Sequence, residues 1–210
     1  MKDKGRYQAS GSESEYQAGS NDLVLKNLKN IIDSDVMAEL ETVCFIDATS
    51  KIAHALTSKH KLTIQDICNY HYEWLHELYV WAGQYRQVNM SKGNFTFAAA
   101  HLIHKLMVDF DKNVLAKYTP CIFTTQNEII EALAIVHTEL VLIHPFREGN
   151  GRLARLVSTL MGLQAGYPAL NFSVIDGDGK EDYFAAVRDG LDCDYGPMKA
   201  IFAKIISDSL

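Results

Sequence analysis

The stretch Leu140–Arg155, LVLIHPFREGNGRLAR, joins two helical patterns through a His-Pro and a cluster of glycines, and the rest of the chain is arranged around that junction. Upstream, Gln126 to Ile143 carries Ile130, Leu133, Ala134, Val136, Leu140 and Val141 at helical spacing and is apolar on most faces, as suits a central helix. Pro145 disfavours helical geometry for the residue before it, so His144 is expected at the end of that helix, held by the core and projecting past it. Glycines 149 and 151 permit positive φ, where successive N–H groups converge on an anion. A second helix is expected from Asn150, with unpaired N–H groups at its start. Arg152 and Arg155, at i and i+3, share a face of its first turns.

Arginine opposes the positive end of a helix dipole, so two in the first turns call for an anionic partner. Phosphate oxygens supply one, because the guanidinium fork matches their geometry and stays charged. Glu148 precedes the cradle, where a carboxylate can hold Mg²⁺ against a di- or triphosphate. His144, with an ordinary pKa of ~6.5, is the group there able to take a proton from a nucleophile near neutral pH. Base, metal ligand, anion nest and charge clamp within one short segment point to phosphate-transfer chemistry, and leave open which phosphorus is attacked.

With 210 residues, 48% of them hydrophobic, the chain can bury a core as one helical domain. Its 20 basic against 26 acidic residues give a charge of -6, so no basic field exists to collect nucleic acid. Cys44, Cys68, Cys121 and Cys193 lack ligand spacing, which suggests reduced thiols and a cytoplasmic protein. Neither a leader segment nor a membrane span is expected, and delivery into another cell is compatible with this reading. Residues 1–20 are polar and rich in Ser, Gly and Gln, and are expected to be a flexible segment ahead of a domain at 21–210. Asn21 or Asp22 is expected to cap a short helix through Ile31. A longer one follows from Ser34 to about Leu56, with Val36, Leu40, Val43 and Ile46 on one stripe. Thr63 caps the next, and further helices are expected at about 99–117, 126–143, 150–165, 181–191 and 197–207. The segment YRQVNMSKGNFTF, Tyr85–Phe97, alternates around a turn and is expected to form a β-hairpin. The fold class is all-α with one short hairpin.

The motif His144-Pro145-Phe146-Arg147-Glu148-Gly149-Asn150-Gly151-Arg152-Leu153-Ala154-Arg155 resembles the signature of the Fic family, H-P-F-x-[D/E]-G-N-G-R-x-x-R, at every fixed position. Upstream, LYVWAGQYRQVNMSKGNFTF (Leu78–Phe97) is similar to the family's segment leading into its flap hairpin, and DLVLKNL to the entry of many such domains. The resemblance implies a helical bundle with a flap, and an enzyme that transfers AMP from ATP to a Ser, Thr or Tyr hydroxyl of a target protein. It implies that His144 deprotonates the hydroxyl, Glu148 holds Mg²⁺, the backbone of Gly149, Asn150 and Gly151 binds phosphate oxygens, and Arg152 and Arg155 grip the β- and γ-phosphates. Phe146 would be an anchor beneath the loop. Met90, Ser91, Lys92 and Gly93 would cover the nucleotide, the flap edge would pair with an extended target segment, and Tyr183 and Phe184 would line the adenine pocket.

Two alternatives stand beside it: transfer of UMP, phosphocholine or a terminal phosphate on the same scaffold, and a non-catalytic nucleotide-binding module. Many relatives carry an inhibitory helix with the pattern [S/T]-x-x-x-E-[G/N], whose glutamate pairs with the second motif arginine, here Arg155. No segment of this sequence matches it, so the resemblance implies either a constitutively competent enzyme or a small antitoxin-like protein acting in trans. His101 and His104 lack a third ligand, and the acidic run DGDGKED (Asp176–Asp182) reads as a solvated turn.

Overall fold

A computed structural model describes the backbone of residues 8–10 and the whole of residues 15–210; residues 1–7 and 11–14 lie outside the described residues. The chain runs β1 (Gln8–Ser10), α1 (Ser34–Ala55), α2 (Ile64–Leu75), β2 (Asn89–Lys92), β3 (Phe95–Thr96), α3 (Ile103–Phe110), a π turn (Asp111–Leu115), α4 (Ala116–Tyr118), α5 (Gln126–Ile143), α6 (Asn150–Gln164), α7 (Gly179–Asp189) and α8 (Gly196–Ser207). The boundaries follow local chemistry. Thr63 with Asp66, and Thr125 with Glu128, form reciprocal capping boxes that satisfy the first N–H groups of α2 and α5. Asp33 accepts from the N–H groups of Asp35 and Val36 to start α1.

α5 is the central helix, buried from Ile129 to Ile143 and packed against α6 and α8, while α1 packs on α2. α1 turns differently from the expected stripe. Its buried face is Met37, Glu41, Ala48 and Ile52, and Val36, Val43 and Ile46 are more than half exposed. The physical reason is Glu41, whose bonds to the inside of the molecule, described below, fix the rotation of the helix.

The short helix expected at residues 21–31 is absent from the described residues, replaced by turns. Asn21, Asp22 and Asn30 adopt positive φ, which Asn and Asp tolerate. The Asn27 side chain accepts from the N–H groups of Lys29 and Ile31 and donates to the carbonyls of Leu25 and Ile31, taking over bonds a helix would have made. Gln8, Ala9 and Ser10 pair antiparallel with Ser91, Met90 and Asn89, giving a three-stranded sheet in the order β1-β2-β3. Tyr16 bridges to Leu25. Polar residues order here because the hairpin offers its edge as a template.

Candidate active site

α5 ends at His144, which caps the helix in the left-handed region (φ 53°, ψ 58°), not the extended geometry expected before proline. A non-glycine residue there is strained and persists only where its surroundings over-determine it. They do so here. The His144 N–H donates to Leu140 O at 3.1 Å, and its carbonyl accepts from Arg86 Nε at 2.7 Å. Its ring stacks on Phe97, with centroids 3.7 Å apart. Nδ1 lies 3.1 Å from the Val141 carbonyl, which can only accept, so Nδ1 carries the proton and Nε2 is the basic nitrogen. Burial, with the charges of Arg86 and Lys92 adding to it, lowers the pKa to about 3, so the ring is neutral across the physiological range.

The loop after His144 is held from within. Phe146 is fully buried and stacks on His71 at 3.9 Å, the burial alone contributing roughly 1.5–3 kcal/mol. Asn150 Oδ1 accepts from the Phe146 N–H (2.8 Å), and its Nδ2 donates to the Phe146 carbonyl (2.7 Å). His71 receives the Gly83 N–H on Nδ1 (2.8 Å), so its Nε2 donates to the Glu148 carbonyl (3.1 Å). Burial lowers its pKa to about 4.

Of the two glycines that permit positive φ, Gly149 adopts it (φ 84°), and Gly151 lies inside α6, which begins at Asn150 as expected. A Cβ at Gly149 would stand 2.5 Å from the Trp74 ring, so the turn needs glycine for its φ and for its packing. The N–H groups of Asn150 and Gly151 open α6 and have no carbonyl one turn back, the geometry that favours an anion.

The two arginines meet different neighbours. Arg152 Nη2 donates to Glu41 Oε2 at 2.6 Å and lies 3.7 Å from Glu148 Oε1, and the guanidinium sits 4.4 Å above the Trp74 ring. The charge of Arg155 acts instead on His137 and Tyr183. There Ser158 donates to Ala154 O, His137 Nδ1 donates to Ser158 Oγ, and the Tyr183 hydroxyl donates to His137 Nε2 (2.9 Å). Burial lowers the pKa of His137 to about 3. Tyr183 is therefore a buried member of the core, while Phe184 faces the flap through Lys92, whose ammonium lies 4.6 Å from its ring.

In the flap, Met90 packs inward with Val88 and Phe97, Ser91 pairs with both β1 and β3, and Gly93 turns the hairpin at φ 57°. Of the two edges of the flap hairpin, the one formed by β2 is paired with β1. Among the described residues no three His, Cys, Asp or Glu side chains converge as a metal cage. The lone carboxylate of Glu148, beside an anion-binding helix start, fits a cation held largely by phosphate oxygens and water.

Residues that the sequence did not single out complete the site. Arg86 is buried and bonds three carbonyls, those of His144, Val88 and Ala98, tying the flap to the motif. Glu41 reaches Arg152 across 111 positions of sequence.

Residues 61–161 match the Fic/DOC family, and the chain belongs to that family. It is 31% identical over 167 residues to protein adenylyltransferase fic-1 of Caenorhabditis briggsae, a match covering 75% of this chain and 30% of that protein. It is 29% identical over 147 residues to the probable protein adenylyltransferase Fic of Salmonella typhimurium, covering 68% and 69% of the two chains. The fold matches the crystal structure of the BepC protein of Bartonella tribocorum with bound AMPPNP, at a TM-score of 0.69 and 23% identity over 86% of this chain and 91% of that one. The chain thus spans under a third of the nematode relative's length. No helix among the described residues is long and apolar enough to cross a membrane.

Proposed function

We propose that this Fic-type transferase is a protein adenylyltransferase that moves AMP from ATP to a Ser, Thr or Tyr hydroxyl of a target protein, with release of pyrophosphate. The observation that carries the reading is the tautomer of His144: Nδ1 is committed to the Val141 carbonyl, leaving Nε2 as the base beside the α6 start. His144 Nε2 takes the hydroxyl proton as the oxygen attacks the α-phosphorus. The first N–H groups of α6 stabilise the phosphoryl oxygens, and Arg152 and Arg155 orient the rest of the triphosphate. Glu148 would hold Mg²⁺, which supplies neutralisation of phosphate charge. Phe184 and the flap residues Met90 to Gly93 enclose the nucleotide, and an extended target segment takes the place of β1 on β2. The enzyme is either competent without restraint or restrained by a small partner protein in trans that supplies an acidic residue to Arg155.

Incubation with α-labelled or γ-labelled ATP tests the reaction. Retention of the α label on protein, abolished by His144→Ala with ATP binding kept, is the expected result. Retention of γ label alone would replace the reading with phosphate transfer, and retention of neither would leave a binding module.

A further inference from the structure

Glu41 lies outside the residues that match the family, yet it makes the shortest contact of the motif's first arginine. We infer that Glu41 is a positioning residue that draws Arg152 away from Glu148, so that the cation and the carboxylate serve phosphate and metal separately. The inference rests on the roles proposed above for Arg152 and Glu148.

Glu148 and Arg152 stand at i and i+4, the spacing at which a glutamate and an arginine pair by default. Here they do not close. Arg152 Nη2 is 3.7 Å from Glu148 Oε1, beyond hydrogen-bond reach, and 2.6 Å from Glu41 Oε2, a charge-assisted bond. Glu41 can hold that position because it is itself held. Its Oε1 accepts the Tyr79 hydroxyl at 2.7 Å, its carbonyl accepts the Trp74 indole N–H at 2.8 Å, and only 6% of the residue is exposed. The Trp74 ring then supports the guanidinium from below.

An acid that acts as a brake must be able to leave. Glu41 has both oxygens bonded inside the molecule and engages one nitrogen of the guanidinium, and the arginine side chain remains 17% exposed. Its geometry is that of a support. Removing it frees Arg152 to close on Glu148, which places the defect at the metal-dependent part of nucleotide binding.

The test is calorimetric ATP binding by the full chain with Mg²⁺ and with chelator, in the parent, Glu41→Gln, Arg152→Gln and the double variant. Glutamine keeps the shape of the site and can accept from Tyr79. The tightening of ATP binding by Mg²⁺ is expected to shrink about tenfold in Glu41→Gln, the size of effect that residues supporting a metal ligand produce. Adenosine binding stays unchanged, while the melting temperature falls because a buried ion pair loses one partner. In the Arg152→Gln background the second substitution changes nothing further, because no arginine remains to be misplaced. Tighter ATP binding in Glu41→Gln would make it a brake and overturn the inference. Equal weakening with and without Mg²⁺, or loss of adenosine binding, would overturn it by making the residue a general structural support. Transfer of α label is read separately: a chain that never transfers but shows the Glu41 effect loses the proposed reaction and keeps this inference. One that transfers normally with an unchanged Mg²⁺ effect in Glu41→Gln keeps the reaction and loses it.

Discussion

Gly149→Ala should damage the protein far more than Gly151→Ala, although only Asn150 separates the two glycines. At position 149 the new methyl group must adopt φ 84°, which costs about 1–2 kcal/mol for a residue with a Cβ. It must also displace Trp74, whose ring carbons Cζ3 and Cη2 lie 2.5 and 2.7 Å from the built position. Trp74 cannot easily yield, since its indole N–H is bonded to Glu41 and Phe45 packs against its ring at 4.8 Å. Overpacking of this kind costs about 1–3 kcal/mol, bringing the total to roughly 2–5 kcal/mol, a large share of the ~5–15 kcal/mol that holds a domain together. At position 151 nothing lies within 4 Å and the backbone is helical, so alanine should be neutral or stabilise by up to about 1 kcal/mol. Urea denaturation of both variants gives the comparison, and the 149 variant should also melt roughly 5–15 °C lower. Stabilities within about 1 kcal/mol of each other would refute the claim that φ and the Trp74 contact dictate glycine at 149.

The buried neutral histidines predict acid sensitivity. His71, His137 and His144 have pKa values lowered from 6.5 to about 4, about 3 and about 3, so the unfolded chain binds protons that the folded one refuses. Their stability contribution is complete above pH 6.5 and is lost as pH falls toward 3–4. Each loses about 1.4 kcal/mol per pH unit in that window, so lowering pH from about 7.5 to about 5.5 should remove about 4 kcal/mol. A urea midpoint unchanged over that range would contradict it. Arg86→Lys replaces the guanidinium fork, whose three nitrogens serve the His144, Val88 and Ala98 carbonyls separately, with a single nitrogen that cannot reach all three, and flap amides should exchange with deuterium at least ~10-fold faster, with stability lower by about 2 kcal/mol. Unchanged flap protection would show that Arg86 does not tie the hairpin down. Arg155→Ala should weaken ATP binding more than ADP binding if that side chain meets the γ-phosphate; equal losses would misplace the nucleotide.

The central helix and the motif were legible because their signals are local. Thr125 and Glu128 mark the start of α5, Pro145 marks its end, and the spacing from His144 to Arg155 lies within a few turns of chain. What escaped depends on contacts between distant segments. Arg86 meets His144 58 positions away and Glu41 meets Arg152 111 positions away, and neither pairing leaves a mark in its own neighbourhood. A faint one exists for Glu41, since Met37, Glu41, Ala48 and Ile52 share a helical face, and an acid among apolar residues on one face implies a buried partner. The more hydrophobic stripe of α1 misled because helix rotation is decided by the strongest bonds, not by the largest apolar sum. Residues 21–31 misled because Asn27 satisfies the backbone from its side chain, a choice that capping patterns do not reveal.

β1 turns β2 into an interior strand. An incoming strand that seeks β2 therefore enters by exchange with the chain's own residues 8–10, and its apparent affinity is its intrinsic affinity scaled by the fraction of molecules in which that pairing is open. Under the docking proposed above, selectivity would follow from the same competition: a partner would have to out-pair Gln8, Ala9 and Ser10 against Ser91, Met90 and Asn89, so that weakly pairing sequences would be rejected.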